Sequence, residues 1–248
     1  MRLWPGSDRE ENARQRVLEA LYAAQAEQAA ARPAACGPGC HACCGERVQL
    51  TTLEGRRLAA HLRAIGRPDL LAALAALGLA RGGAVPSPAA TTNALARLCL
   101  AQAEPPVEPA APPAGACPLL AEGLCAAYAA RPLACRTMAS LTPCAPGGQA
   151  NQDPWWVTLD TVFFQLAEQA DAGGGFGFLG PVMAALAKAE AGDADQGAAA
   201  GLALCEDVPG FIAPPEHQAR LGALLWSLHH RLVEGRPLGD WLAELRRG

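Results

Sequence analysis

Nine consecutive positions, CGPGCHACC from Cys36 to Cys44, hold four cysteines. The glycines and the proline between them rule out a regular helix there, so the thiols sit on a loop. Cys36, Cys40 and Cys43 are separated by three and two residues, close enough for one loop to wrap three sulfurs around a centre whose thiolate bonds to zinc reach ~2.3 Å. Adjacent side chains of an extended chain leave on opposite sides, which sets Cys44 apart from Cys43. A fourth ligand is expected from a second cysteine region, CPLLAEGLCAAYAARPLACRTMASLTPC, running from Cys117 to Cys144, with Cys117, Cys125 and Cys135 as candidates.

The chain holds ten cysteines, and the compartment decides how they read. MRLWPGSDREENARQR puts charges where a secretory leader carries its apolar core. The expectation is a cytoplasmic protein whose thiols stay reduced and serve metal or thiol chemistry rather than a disulfide framework. Cys99 and Cys205, with no cysteine at ligand spacing, read as core or incidental thiols. His41 reads as a solvated loop residue. Lysine and arginine total 20 against 24 acids, a net charge of −4 with no basic block, so nucleic acid is not an expected partner. The apolar run Leu70–Ala80 is far shorter than the ~20 residues of a membrane-spanning helix, and no membrane association is expected.

Apolar residues make up 51% of the chain and aromatics only 5%, a balance that favours close-packed alanine- and leucine-rich helices. Ser7 with Glu10 predicts a capped helix ending near Arg32, where Pro33 stops it. Thr51 with Glu54 predicts a second, closing at Gly66. Further helices are expected over 68–80, over 88–103 with Ser87 as cap, from Trp155, near 181–191, over 215–234 and over 238–247. Five prolines between Glu104 and Ala116 predict an extended connection, and GGGFGFLG reads as a flexible joint. Val48–Leu50 is the one short strand candidate. The expected architecture is all-α, mainly helical and irregular. It forms a single domain over 1–248, with the cysteine cluster built from 36–54 and 117–144 and a helical part over 155–248.

Taken together, the cysteine regions resemble the YkgJ family, also called the CxxCxxCC zinc- or iron-chelating domain. The resemblance rests on C-GPG-C-HA-CC followed by VQLT and Glu54, and on CPLL, GLC, Tyr128, Arg131-Pro132 and Cys135-Arg136. One extra residue separates Cys36 from Cys40 relative to the family pattern, and CRTMAS lacks the aromatic that usually follows the CR pair. The resemblance implies a compact, mostly helical domain whose cysteines chelate zinc or an iron–sulfur cluster. The metal set is then Cys36, Cys40, Cys43, Cys44, Cys117, Cys125 and Cys135, with Cys144 outside the match. Four thiolates around zinc or a [4Fe-4S] core leave a net negative charge that needs donors nearby. Arg131 and Arg136 are candidates to supply them, with Tyr128 beside Arg131.

The resulting reading is a metal-binding protein, holding zinc or an iron–sulfur cluster, without catalysis of its own. Two other readings stand beside it. One is an iron–sulfur enzyme that transfers methyl groups or electrons, since the family resemblance extends to flagellin lysine N-methylases. The other is a scaffold in which a structural metal supports binding to a protein partner. C-x3-C-x2-C is also the cluster motif of radical S-adenosylmethionine enzymes, but the alternating strands and helices of their barrel are missing. No phosphate-binding loop or nucleophile elbow is present, and Asp160 and His229-His230 have no partners at recognisable spacing.

Overall fold

The computed structural model describes residues 7–80, 88–108, 115–145, 149–192 and 201–246. Helix α1, Asp8–Ala30, starts at Ser7, whose hydroxyl accepts from the Glu10 N–H. Strand β1, Gln49–Thr51, runs straight into α2, Thr52–Ala64. There the expected capping box is complete: Thr51 Oγ1 accepts from the Glu54 N–H at 3.2 Å, and Glu54 Oε2 from the Thr51 N–H at 3.0 Å. Gly66, at φ +69°, ends this helical stretch in the left-handed conformation glycine favours. Helix α3, Pro68–Ala80, follows the expectation, but α4 is shorter, Thr92–Leu100. Its cap is Thr91, not Ser87, which lies outside the described residues; the Thr91 hydroxyl accepts from the Ala94 N–H.

After the proline-rich connection, of which 109–114 lie outside the described residues, strands β2 (Leu120–Ala121) and β3 (Leu124–Cys125) form a hairpin. Glu122 and Gly123 both take positive φ at its turn, the geometry that matches strand twist in a two-residue hairpin. A single 3-10 turn, Tyr128–Ala130, leads to α5, Leu133–Thr137. The remaining helices are α6 (Pro154–Ala170), α7 (Leu179–Glu190), α8 (Gln218–His230) and α9 (Leu238–Leu245). The fold is mainly helical, as expected.

The glycine-rich run expected to be a joint is a strand. Gly175–Phe178 forms β4, the centre of a three-stranded antiparallel sheet with β1 on one side and β5, Ala203–Leu204, on the other. A side chain on Gly177 or Gly175 would collide with Leu202, at 2.6 and 2.8 Å. The glycines thus let Leu202 lie across the strand. A second hairpin joins β6 (Leu232–Val233) to β7 (Arg236–Pro237), again with a Glu-Gly turn at positive φ.

Two apolar clusters hold the helices. In one, Val17, Leu18 and Leu21 of α1 pack with Trp155, Leu159 and Phe163 of α6, and with Leu238 and Leu242 of α9. In the other, Leu50, Leu58 and Leu74 meet Leu179, Val182 and Met183. Both receive residues from the second cysteine region: Leu133 enters the first, and Leu119, Ala127 and Ala130 the second. That region is therefore anchored by apolar burial.

Candidate metal centre

The loop before β1 is a series of tight turns. The Cys40 N–H donates to the Gly37 carbonyl at 3.0 Å, the Cys44 N–H to His41 at 3.0 Å and the Gly45 N–H to Cys43 at 2.9 Å. Gly39, at φ +88°, supplies the reversal that a side chain would resist. At its end the loop pairs with the second region. Gly45 bridges Ala116, the Cys117 N–H donates to the Cys44 carbonyl at 3.2 Å, and the Glu46 N–H donates to Gly115 at 3.0 Å. The buried Glu46 carboxylate accepts from the Gly115 N–H at 2.9 Å and locks this junction. At its beginning the loop is tied to the segment after α5. The Ala35 N–H donates to the Ser140 carbonyl at 2.8 Å, and Cys36 Sγ accepts from the Ser140 N–H at 3.3 Å.

These junctions enclose a cavity of about 650 Å³ whose wall includes Cys36, Cys40, Cys43, Cys44, Cys117, Cys125 and Cys135. Cys40 and Cys43 are exposed, and the other five are half-buried. Among the described residues no three His, Cys, Asp or Glu side chains are gathered closely enough to hold an ion as they stand. Burial pushes the Cys135 thiol up to about 12, with the Cys117, Cys125 and Cys44 thiols adding to the shift and Arg131 opposing it. Burial pushes Cys44 up to about 11, helped by Cys43, Cys117, Cys125 and Cys40. Cys43 is raised by burial and then by Cys40, Cys36 and Cys144. Cys117 is raised by burial and by Cys125. Such thiols keep their protons at neutral pH until a cation displaces them.

The grouping differs from what spacing suggested. Cys44, set apart in the sequence, feels Cys43 first and then Cys117, Cys125 and Cys40, whereas Cys43 feels Cys40, Cys36 and Cys144. The arginines are engaged as well. Arg131 lies 3.6 Å over the Tyr128 ring and donates to the Tyr128 carbonyl at 3.1 Å. Arg136 stacks on Tyr22 at 4.6 Å and donates to the carbonyls of Arg131 and Ala129 at 2.9 and 2.7 Å, so it fixes the turn that carries Arg131. Tyr128 is 40% exposed and is not a core residue. His41 is exposed, with Nδ1 3.1 Å from the Gly39 carbonyl oxygen. Cys99 is exposed, while Cys205 is buried.

Two supporting residues escaped the sequence reading in different ways. Glu54 was seen as a cap, yet its buried carboxylate also accepts from the Tyr22 hydroxyl at 2.7 Å and the Leu133 N–H at 2.8 Å, fixing the start of the helix that carries Cys135. Asp160, given no role, forms a buried bidentate pair with Arg32 at 2.7 and 2.9 Å on the cavity wall. Arg32 in turn donates to the Thr137 carbonyl at 3.3 Å. The signal available for Asp160 was an acid on the apolar face of a helix, where a charge needs a partner.

A family model described as "CxxCxxCC: Putative zinc- or iron-chelating domain" matches residues 35–155. Over those residues the chain is similar to that domain. The matched span begins just before the loop thiols and ends as α6 starts, so it covers both cysteine regions and the junction between them. Neither a curated protein nor a solved structure matches the chain. The donor set fits the group that the family implies, because soft thiols in sets of four suit both zinc and iron–sulfur clusters.

Proposed function

We propose that this protein binds zinc or an iron–sulfur cluster through Cys36, Cys40, Cys43, Cys44, Cys117, Cys125 and Cys135, and that it acts by holding the metal rather than by catalysing a reaction. The observation that carries this reading is the convergence of all seven on one cavity from segments far apart in sequence. A bound metal would supply the positive charge that offsets the thiolates, and Arg131 stands where it favours the ionised form of Cys135. Ten free cysteines suit a reducing compartment, which supports a cytoplasmic setting. Among the described residues no helix is long and apolar enough to cross a membrane.

The test is anaerobic purification of the full chain, followed by metal analysis and an absorption spectrum. Zinc, or iron with sulfide, should accompany the protein and fall sharply in Cys44→Ser and Cys135→Ser. A wild-type chain that carries neither metal and takes up neither on reconstitution would refute the reading.

A further inference from the structure

We propose that the chain carries two separate four-thiol centres, an outer one of Cys36, Cys40, Cys43 and Cys144 and an inner one of Cys44, Cys117, Cys125 and Cys135. The inference rests on the reading that the chain chelates metal, and adds how many centres there are, which thiols form each and a ligand outside the family pattern.

The backbone makes the division. A turn from His41 to Cys44 places Cys43 inside the turn and Cys44 at its exit, where the Cys44 carbonyl is bonded to the Cys117 N–H at 3.2 Å. Cys117 opens the segment whose hairpin holds Cys125 opposite Leu120. Cys117 and Cys125 both pack on the second apolar cluster, and α5 brings Cys135 to the same wall. These four are one group. The outer four are assembled by a different junction. Cys36 is pinned to 138–140 through its Sγ, which accepts from the Ser140 N–H and lies 3.9 Å from the Met138 carbonyl oxygen. Cys144 follows Ser140 closely, and the Ser140 hydroxyl, accepting from the Thr142 and Asn151 N–H groups at 3.4 and 2.9 Å, shapes that return.

Stoichiometry of ligands favours the same division. Zinc takes about four thiolates, and so does a [4Fe-4S] cluster. Eight sulfurs therefore exceed the needs of one centre and match two. Cys44 has Cys43 and Cys40 among its neighbours, so the two centres sit side by side. The outer one is the more open, since Cys40 and Cys43 are exposed.

The test uses full-length apo protein under anaerobic, reducing conditions, titrated with cobalt(II) and then zinc(II), reading thiolate-to-cobalt absorption and bound metal per chain. Wild type should saturate at two ions. Cys144→Ser should bind one, with the tetrathiolate spectrum retained at half intensity, and Cys125→Ser should also bind one. The double variant should give no tetrathiolate signal. Cys40→Ser and Cys117→Ser repeat the outer and inner losses, so a single misfolded variant does not decide the outcome. Saturation of wild type at one ion, two ions retained by Cys144→Ser, or loss of all metal from either single variant would overturn the division while leaving chelation intact. No uptake of cobalt or zinc by wild type would overturn the division, and no uptake of iron and sulfide on reconstitution either would overturn chelation as well.

Discussion

The hydroxyl of Tyr22 donates to the carboxylate of Glu54 at 2.7 Å, in the interior and between α1 and α2, the helices on either side of the cysteine loop. The same carboxylate takes the Leu133 and Thr51 N–H groups. Replacing Glu54 by glutamine should turn one accepted bond into an opposition of two donors at Thr51 and cost ~1–3 kcal/mol. Tyr22→Phe, which removes only a donor, should cost about 1 kcal/mol. Chemical denaturation of the two variants against wild type measures both.

The same group gives stability a pH dependence of defined sign. Burial raises the Glu54 carboxyl above its ordinary value. A carboxyl with a higher pKa in the folded than in the unfolded state binds more protons when folded, so stability falls as pH rises through the interval between the two values. Thermal melts of apo protein taken upward from pH ~4.5 should show that decline, and it should flatten in Glu54→Gln. An unchanged slope in the variant would assign the dependence to other groups.

Thiol labelling should separate the cysteines by access and ionisation. Cys40 is exposed, whereas Cys135 is half-buried and pushed up to about 12. Because the thiolate is the reacting form, an alkylating reagent at neutral pH should modify Cys40 at least tenfold faster than Cys135 in apo protein. Zinc should suppress labelling at both. Peptide mass spectrometry over a time course reads the order.

Helices α3 and α7 touch backbone to backbone at Gly78 and Gly180. A methyl group on Gly78 would be driven into the Gly180 carbonyl, which cannot swing aside as a side chain could. Gly78→Ala should destabilise the protein by ~1–3 kcal/mol despite the better helix propensity of alanine. Equal or greater stability would mean that the two helices can separate at little cost.

Limited proteolysis should distinguish the two cysteine regions. Removing metal under reducing conditions should expose new sites within 36–45, which contributes nothing to either apolar cluster. Residues 117–135 should stay resistant, because Leu119, Ala127, Ala130 and Leu133 are buried with or without an ion. Equal cleavage of both regions would contradict the anchoring described above.

What the sequence revealed follows the range of the interactions. Caps are local, and Ser7 and Thr51 mark the starts of α1 and α2 because the residues that satisfy them lie three positions away. Pro88 suggested a start for α4 that Thr91 actually provides. Strand β4 was hidden, since Gly175 and Gly177 carry no strand propensity and are explained only by Leu202, a residue distant in sequence. In the candidate site, spacing singled out the cysteines but not the segments that lie beside each of them. The division between Cys43 and Cys44 depends on one turn and on two junctions with distant segments, at Ala116–Cys117 and at Ser140.

The bridge between Gly45 and Ala116 also sets how much change the chain between them can absorb. Glu46, Leu50 and Glu54 in that stretch hold the junction directly, but residues 104–108 are exposed, so added length there enters mainly as closure entropy. That quantity grows slowly, by about 0.6 kcal/mol for each doubling of a flexible loop. Residues added to the proline-rich connection, where Val107 is 92% exposed, would thus leave the junction's geometry as it is. The cysteine-lined cavity is in this sense insulated from length variation in the proline-rich connection.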